Sequence, residues 1–270
     1  MAPVTSPPAP DGSPSRWSPL SHVLVHGPSE ALLTDPPIAR AQADVLIEWL
    51  RSRKVALRYI YLTHAHFDHF GTTNYLRRTF PDAVVVASRA VLDRIARETP
   101  NGQVSQRYRA FFGSDLPPEP VTVHGTPVPG TGLELDGRRV FSVDVGHSDT
   151  DDTTVLHVPD LGLVVAGDVV YNNVHQYLGE TRDGGLESWQ HALDQVADLR
   201  PDIVVAGHKD PRRGDDPTTI DDTRRYLDRV APVIDRTGDA VHFFQDVKAI
   251  DPDRVNPWAI WLGALRLFPR

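Results

Sequence analysis

Residues 63–70 read THAHFDHF and follow directly on the apolar run RYIYL. His64, His66, Asp68 and His69 thus fall within six positions at the end of a strand-like segment. His64 and His66 are two residues apart, so extended backbone turns both toward one side. Asp68 and His69 fall where the chain bends into the next element and address a neighbouring point. One short stretch can therefore feed two adjacent cations. The donors are imidazole and carboxylate, which suit Zn²⁺ and also Fe or Mn. The 270 residues contain no cysteine, which excludes disulfides, thiolate ligands and a cysteine nucleophile.

Three further apolar runs end in the same way. VFSVDVG leads to His147, LVVAG to Asp168 and IVVAG to His208. Strand tips on a rigid sheet are a good place from which to aim ligands at one point. Taken singly, a residue of this kind is more often an ordinary polar residue at a strand boundary than a ligand.

Taken together, the segments resemble the metallo-β-lactamase-fold hydrolases. His64, His66, Asp68 and His69 match the H-x-H-x-D-H motif of that superfamily, with Gly71 following. GHS at 146–148, GD at 167–168 and GH at 207–208 match its later motifs in the right order. The resemblance spans roughly residues 20–210. It implies an α/β fold, a four-layer αββα sandwich, here with a helical C-terminal extension. It implies two metals per chain, Zn²⁺ in first place: His64, His66 and His147 on one, Asp68, His69 and His208 on the other, Asp168 bridging. A shared hydroxide would then attack a carbonyl, with Asp68 passing a proton to the leaving atom. Asp35 matches a family aspartate beneath the site that orients a ligand histidine, although Pro36-Pro37 follow it here, and a turn-forming role fits equally well. Lactonase-like relatives hold the carbonyl oxygen with a tyrosine, which makes Tyr171 a catalytic candidate. GHSDTDD departs from the glyoxalase-II pattern; Asp149 and Asp151 read as turn residues, and Asp152 as an acceptor behind the ligands.

The rest of the chain bears on the substrate. Strands are expected at 22–26, 31–35, 57–63, 83–87, around the Asp136-Gly137 turn, and at 153–158, 162–168 and 202–208. Helices are expected at 38–52, 71–78, 90–97 and 186–199, and from about 218 onward. Tyr108, Phe111 and Phe112, in an irregular stretch, either line the substrate cleft as an apolar lid or form a packing helix. His175 and Tyr177, after Asp168, are further substrate-binding candidates. Basic residues near the motifs are few, Arg182 and Lys209, which weighs against a glutathione thioester; a lactone or ester leads, and a β-lactam is the weaker reading because most proteins of the resembled fold are not lactamases.

The net charge of −8 and the lack of a basic block argue against nucleic acid. There is no apolar run of membrane-spanning length. The first 18 residues, rich in Pro, Ser and Ala, read as a flexible arm without a secretory signal, and residues 19–270 as one domain. A cytoplasmic enzyme acting on a small molecule is expected, with a homodimer as one possibility: the C-terminal helices, with Trp258 and Trp261, either cover one sheet or make a dimer contact. The rival readings are a mononuclear-iron oxygenase of the persulfide-dioxygenase type and a non-hydrolytic binding or biosynthetic protein on the same fold.

Overall fold

A computed structural model describes residues 3–269. They divide into two compact units, one of residues 22–144 and 152–161, the other of residues 3–21, 145–151 and 162–269.

The first unit carries a five-stranded sheet in the order β1 (Leu24–His26), β2 (Glu30–Thr34), β3 (Ala56–Tyr61), β4 (Val84–Ala87) and β5 (Thr126–Pro127). The β1–β2 pair is antiparallel and the remaining pairs are parallel. Parallel strands need crossovers. These come from α1 (Arg40–Arg53), α2 (Thr73–Thr79) and α3 (Arg89–Glu98), with α4 (Gln106–Phe112) ahead of β5. Ser88 starts α3 by accepting the Val91 N–H, and Val91, Leu92 and Ile95 form its buried stripe. The stretch read as irregular at 104–118 therefore contains a helix, started by Ser105, whose hydroxyl accepts the Tyr108 N–H.

In the same unit, β6 (Leu133–Leu135) and β7 (Arg138–Gly146) form the expected hairpin, and β8 (Thr153–Val158) lies beside β7. Asp136 and Gly137 both have positive φ, 47° and 78°, as a two-residue hairpin turn demands. The Asp136 carboxylate also accepts the Ser29 hydroxyl and the N–H groups of Ser29 and Glu30, which together, the hydroxyl first, hold its pKa below the usual carboxylate range. Deeper in the unit, the fully buried Tyr61 hydroxyl meets Ser142 and Thr154, 2.8 and 2.7 Å away.

The second unit is built on β9 (Leu163–Asn172), every residue of which is buried, paired in parallel with β10 (Ile203–Lys209) through the crossover helix α5 (Gly185–Asp198). β9 runs four residues beyond the expected strand and takes in Tyr171 and Asn172. The C-terminal helices α6 (Thr218–Arg236), α7 (Ala240–Ile250) and α8 (Trp258–Leu267) belong to this unit. On α6, Thr223 bonds both the N–H and the C=O of Tyr171 through its hydroxyl. Trp258 is buried.

The segment expected to be a flexible arm is tied to this unit from Pro3 onward. Pro3 bridges to Arg16, Val4 and Ala9 are buried, and Lys248 pairs with Asp11. Trp17 lies 6.0 Å from Trp258, and Asn256 donates to Ser18. Its apolar residues and Asp11 have partners that a scan of composition does not register. No helix among the described residues is long and apolar enough to cross a membrane.

Candidate metal centre

In the first unit the ligand motif begins where β3 ends. Its base is Asp35, 2% exposed, immediately after β2. The Asp35 N–H donates to the Tyr61 carbonyl, which fixes the backbone across the two strand ends. The carboxylate then collects three hydrogen bonds. Thr63 donates its N–H to Oδ1 at 2.8 Å and its hydroxyl to Oδ2 at 2.8 Å, and His69 Nδ1 lies 3.1 Å from Oδ2. Because the Thr63 hydroxyl hydrogen points at Asp35, its oxygen is left to accept from His64 Nδ1 at 3.0 Å. One carboxylate thereby fixes two imidazoles in the same tautomer, protonated on Nδ1 with the Nε2 lone pair available as a metal donor.

The rings are close. His64 and His69 are 4.0 Å apart and His64 and His66 are 5.0 Å apart, centroid to centroid. His64 and His69 are wholly buried, and Asp68 nearly so. A single 3₁₀ turn, Phe67–His69, brings Asp68 Oδ2 to 3.8 Å from His69 Nε2. Gly71 closes the turn, where a Cβ would fall 2.9 Å from the Phe67 carbonyl.

In the second unit, Asp168 on β9 and His208 on β10 face each other, Nε2 to Oδ2 at 3.2 Å. His208 Nδ1 is held by the Pro19 carbonyl at 3.1 Å, which leaves Nε2 as the ring atom that faces the carboxylate. Asp168 Oδ2 already accepts the Tyr171 hydroxyl at 2.7 Å. Gly207 makes the approach feasible, since a Cβ there would lie 2.1 Å from Asp168 Oδ1.

His147 gives Nδ1 to Asp151 at 2.6 Å, and its buried Nε2 packs against Gly185. Asp149 is fully buried, and one of its carboxylate oxygens lies within 4.8 Å of one from Asp168. Asp149 and Asp151 are therefore more than turn residues. Thr150 bonds Glu180 at 2.9 Å and anchors the loop. His147 and Asp151 line a cleft of about 420 Å³ together with Gly179, Glu180, Arg182, Gly185, Ser188 and Arg266.

The other candidates separate by place. Tyr171 is buried behind Asp168, its ring 5.5 Å from His208 and 6.0 Å from Trp189. There its hydroxyl donates to Asp168 Oδ2. Asp152, expected behind the ligands, has positive φ and makes an exposed ion pair with Arg97 at 3.8 Å. Tyr108 stacks on Phe67 at 5.0 Å, next to the ligand turn; Phe112 is buried and Phe111 lies beneath Arg107. His175 is fully buried, its Nδ1 3.0 Å from the Tyr226 hydroxyl, and Tyr177 curls over Gly179; neither lines the cleft. The sequence reading did not single out Thr63, Glu180, Arg266 or the Pro19 carbonyl.

The donor chemistry fits divalent metal: buried neutral imidazoles with Nδ1 already occupied, and buried carboxylates beside them. Comparison with known proteins agrees. Residues 16–208 match the family description Metallo-beta-lactamase superfamily. A hydroxyacylglutathione hydrolase of Parasynechococcus marenigrum is 40% identical over 70 residues, 26% of each chain. Another, from Synechococcus sp. (strain CC9902), is 39% identical over 182 residues, 65% of this chain and 60% of that one. The chain thus matches only about a quarter to three fifths of these relatives' length. A metallo-beta-lactamase type 2 of Bacteroides fragilis is 25% identical over 71% of this chain and 70% of that one. Among solved structures, a metallo-beta-lactamase family protein of Thermus thermophilus superposes with TM-score 0.64 at 20% identity, covering 97% of this chain and 91% of that one. A metallo-beta-lactamase from Pontibacter korlensis gives 0.60 at 20%, covering 78% and 88%. The family pattern covers well over half the sequence, and the solved structures share its fold: the chain belongs to the metallo-β-lactamase superfamily.

Proposed function

We propose that the protein is a dinuclear metal-dependent hydrolase, with zinc the first choice of metal, that cleaves an ester-type carbonyl in a small molecule. The observation that carries this reading is the Asp35 network. A buried carboxylate that receives His69 directly and His64 through Thr63 serves to aim two Nε2 lone pairs. The ligands in this reading are His64, His66, Asp68 and His69 of the first unit, and His147, Asp168 and His208 of the second. When bound, the ions would supply Lewis acidity to the scissile carbonyl and to the attacking water. The chain's own groups do the rest. Asp68, which lies beside His69, would carry a proton to the leaving atom. Tyr171 holds Asp168 in one orientation through its hydroxyl. The cleft beside His147 receives the substrate.

A lactone or ester remains the first reading. A thioester is the second, and one observation favours it. Arg182, which had no basic neighbour in the sequence, shares the cleft with Arg266. Relatives named hydroxyacylglutathione hydrolase point the same way. The test is elemental analysis of the purified protein alongside a hydrolysis screen of lactones, aryl esters, acyl-thioesters and β-lactams. Two equivalents of zinc with turnover of one ester class supports the proposal. A single iron with oxygen uptake would replace it with the oxygenase reading, and metal binding without turnover of any class with the non-hydrolytic one.

A further inference from the structure

We propose that the N-terminal segment is a positioning element for the ligand His208: docked on the C-terminal helices, it holds the imidazole in place through the Pro19 carbonyl. This rests on the dinuclear reading above, in which His208 is a metal ligand. Pro19, His208 and the C-terminal helices all belong to the second unit.

The ligand end of β10 calls for a brace. Its ladder with β9 is regular from Ile203 to Val205 and then slips twice, between Val205 and Ala206 and between Ala206 and His208. Gly207 stands inside the irregular part and has no side chain with which to pack. β10 is also the edge strand of its sheet, so its far side offers backbone groups to another segment of chain.

Residues 19–21 take that side. Leu20 bridges His208 in the antiparallel sense. The Ser21 N–H donates to the Gly207 carbonyl at 2.8 Å, and the Lys209 N–H to the Pro19 carbonyl at 3.3 Å. The same Pro19 oxygen receives the His208 ring at 3.1 Å. A carbonyl only accepts, so the hydrogen sits on Nδ1, and Nε2 is the ring atom left for a metal.

A carbonyl orients a ring only if the chain that carries it is itself fixed. Just ahead of α8, Asn256 donates to the Ser18 hydroxyl at 2.6 Å, and Trp17 packs on the buried Trp258 with ring centroids 6.0 Å apart. Farther back, Lys248 of α7 pairs with Asp11. The segment also closes on itself, through the Pro3–Arg16 bridge and the Ser15 hydroxyl, which donates to the Ser6 and Pro7 carbonyls. The ion pair is partly exposed and contributes little alone. The larger share of the docking falls to the aromatic pair.

Docking and metal binding are then linked. If the docked segment favours metal at His208, metal at His208 favours docking by the same factor. Arg16 is exposed and is the one tryptic site ahead of Arg40, so cleavage after it reports docking.

The experiment uses the full-length protein with Zn²⁺ and has two parts, neither of which needs turnover. The first measures the affinity of each metal equivalent by chelator competition in the wild type, Trp17→Ala, Trp17→Phe and Ser18→Ala, with circular dichroism to establish folding. Phe243→Leu, which loosens the α7 contact with Phe268, controls for lost stability alone. Trp17→Ala should weaken one equivalent about tenfold. Ser18→Ala should weaken the same equivalent by less, and Trp17→Phe and Phe243→Leu should leave both as in the wild type. Ser18→Ala removes a single hydrogen bond and gives the answer should Trp17→Ala fail to fold. The second part follows cleavage after Arg16 by mass spectrometry, with and without metal. Metal should slow it in the wild type and slow it less in His208→Gln. Wild-type affinities in the folded Trp17→Ala and Ser18→Ala proteins, an equal loss in Phe243→Leu, or cleavage indifferent to metal overturns the proposal and leaves the dinuclear reading standing. A wild type that binds fewer than two equivalents removes that reading, and this assignment with it.

Discussion

Asp35 Oδ2 and His69 Nδ1 stand 3.1 Å apart, and neither side chain is more than 3% exposed. Asp35 takes positive φ, 44°, to reach this place between two strand ends. A non-glycine residue adopts that conformation at a cost of order 1 kcal/mol, which three hydrogen bonds to its carboxylate offset. Asp35→Ala leaves His69 and Thr63 without their acceptor and frees the His64 tautomer. Metal affinity should fall about 10–100-fold, read by competition with a chromogenic chelator. Affinity equal to the wild type would mean that the imidazoles are held by packing alone.

Tyr171 is the residue whose expected and observed positions differ most in consequence. A tyrosine that touches substrate would change KM when its hydroxyl is removed. One that only orients Asp168 should change kcat. Tyr171→Phe keeps the ring between His208 and Trp189 and deletes a charge-assisted hydrogen bond worth about 1.5–3 kcal/mol. The expected result is kcat lowered roughly tenfold or more with KM unchanged. Steady-state kinetics on the ester identified by the screen decides it, and a raised KM with unchanged kcat would restore the substrate-contact role.

These two cases show what the sequence can and cannot reveal. The H-x-H-x-D-H stretch was legible because its donors are adjacent in the chain and follow a strand. Asp35 was legible only as one of two equal readings, because the proof is a contact with residues 28 and 34 positions away. Burial separates Asp149 from His147, and no pattern in GHSDTDD encodes it. The α4 helix was legible only as one of two readings because QRYRAFF is short and flanked by breakers, and its start depends on one serine. The Pro19 carbonyl that fixes His208 leaves no side-chain signal at all.

Arg182 and Arg266 lie 84 positions apart in the chain, and only folding puts them on one cleft. Arg182 is already braced. Its Nε and Nη2 donate to the Leu267 carbonyl and its guanidinium lies 4.9 Å over Phe268. Arg266 is the freer partner for a substrate carboxylate. Arg266→Ala should raise KM about tenfold or more for an acyl-thioester that bears carboxylates, through loss of a charged hydrogen bond. It should leave KM for a neutral lactone unchanged. Equal effects on both substrates would place Arg266 outside the recognition of charge.

His175 makes a prediction about stability. Burial, with Arg254 adding to it, pushes its pKa down to about 3 from the ordinary 6.5. The folded protein therefore keeps the ring neutral at pH values where the unfolded chain protonates it. Above 6.5 both states are neutral and His175 adds no pH dependence. As pH falls from 6.5 toward 3 the unfolded state binds the extra proton, and stability drops by up to about 1.4 kcal/mol per pH unit. The nearby carboxylate of Asp251 opposes the shift and Lys248 reinforces it. Because other groups titrate in the same range, the measurement is a difference. Urea unfolding of the chelator-treated protein is followed from pH 7 to pH 4.5 in the wild type and in His175→Asn. Asparagine has no proton to take up, so the variant's stability should fall less steeply with acid, whatever its value at pH 7. Parallel slopes would show that His175 is protonated as readily in the folded protein as in the unfolded chain, and that its contact with Tyr226 does not hold it neutral.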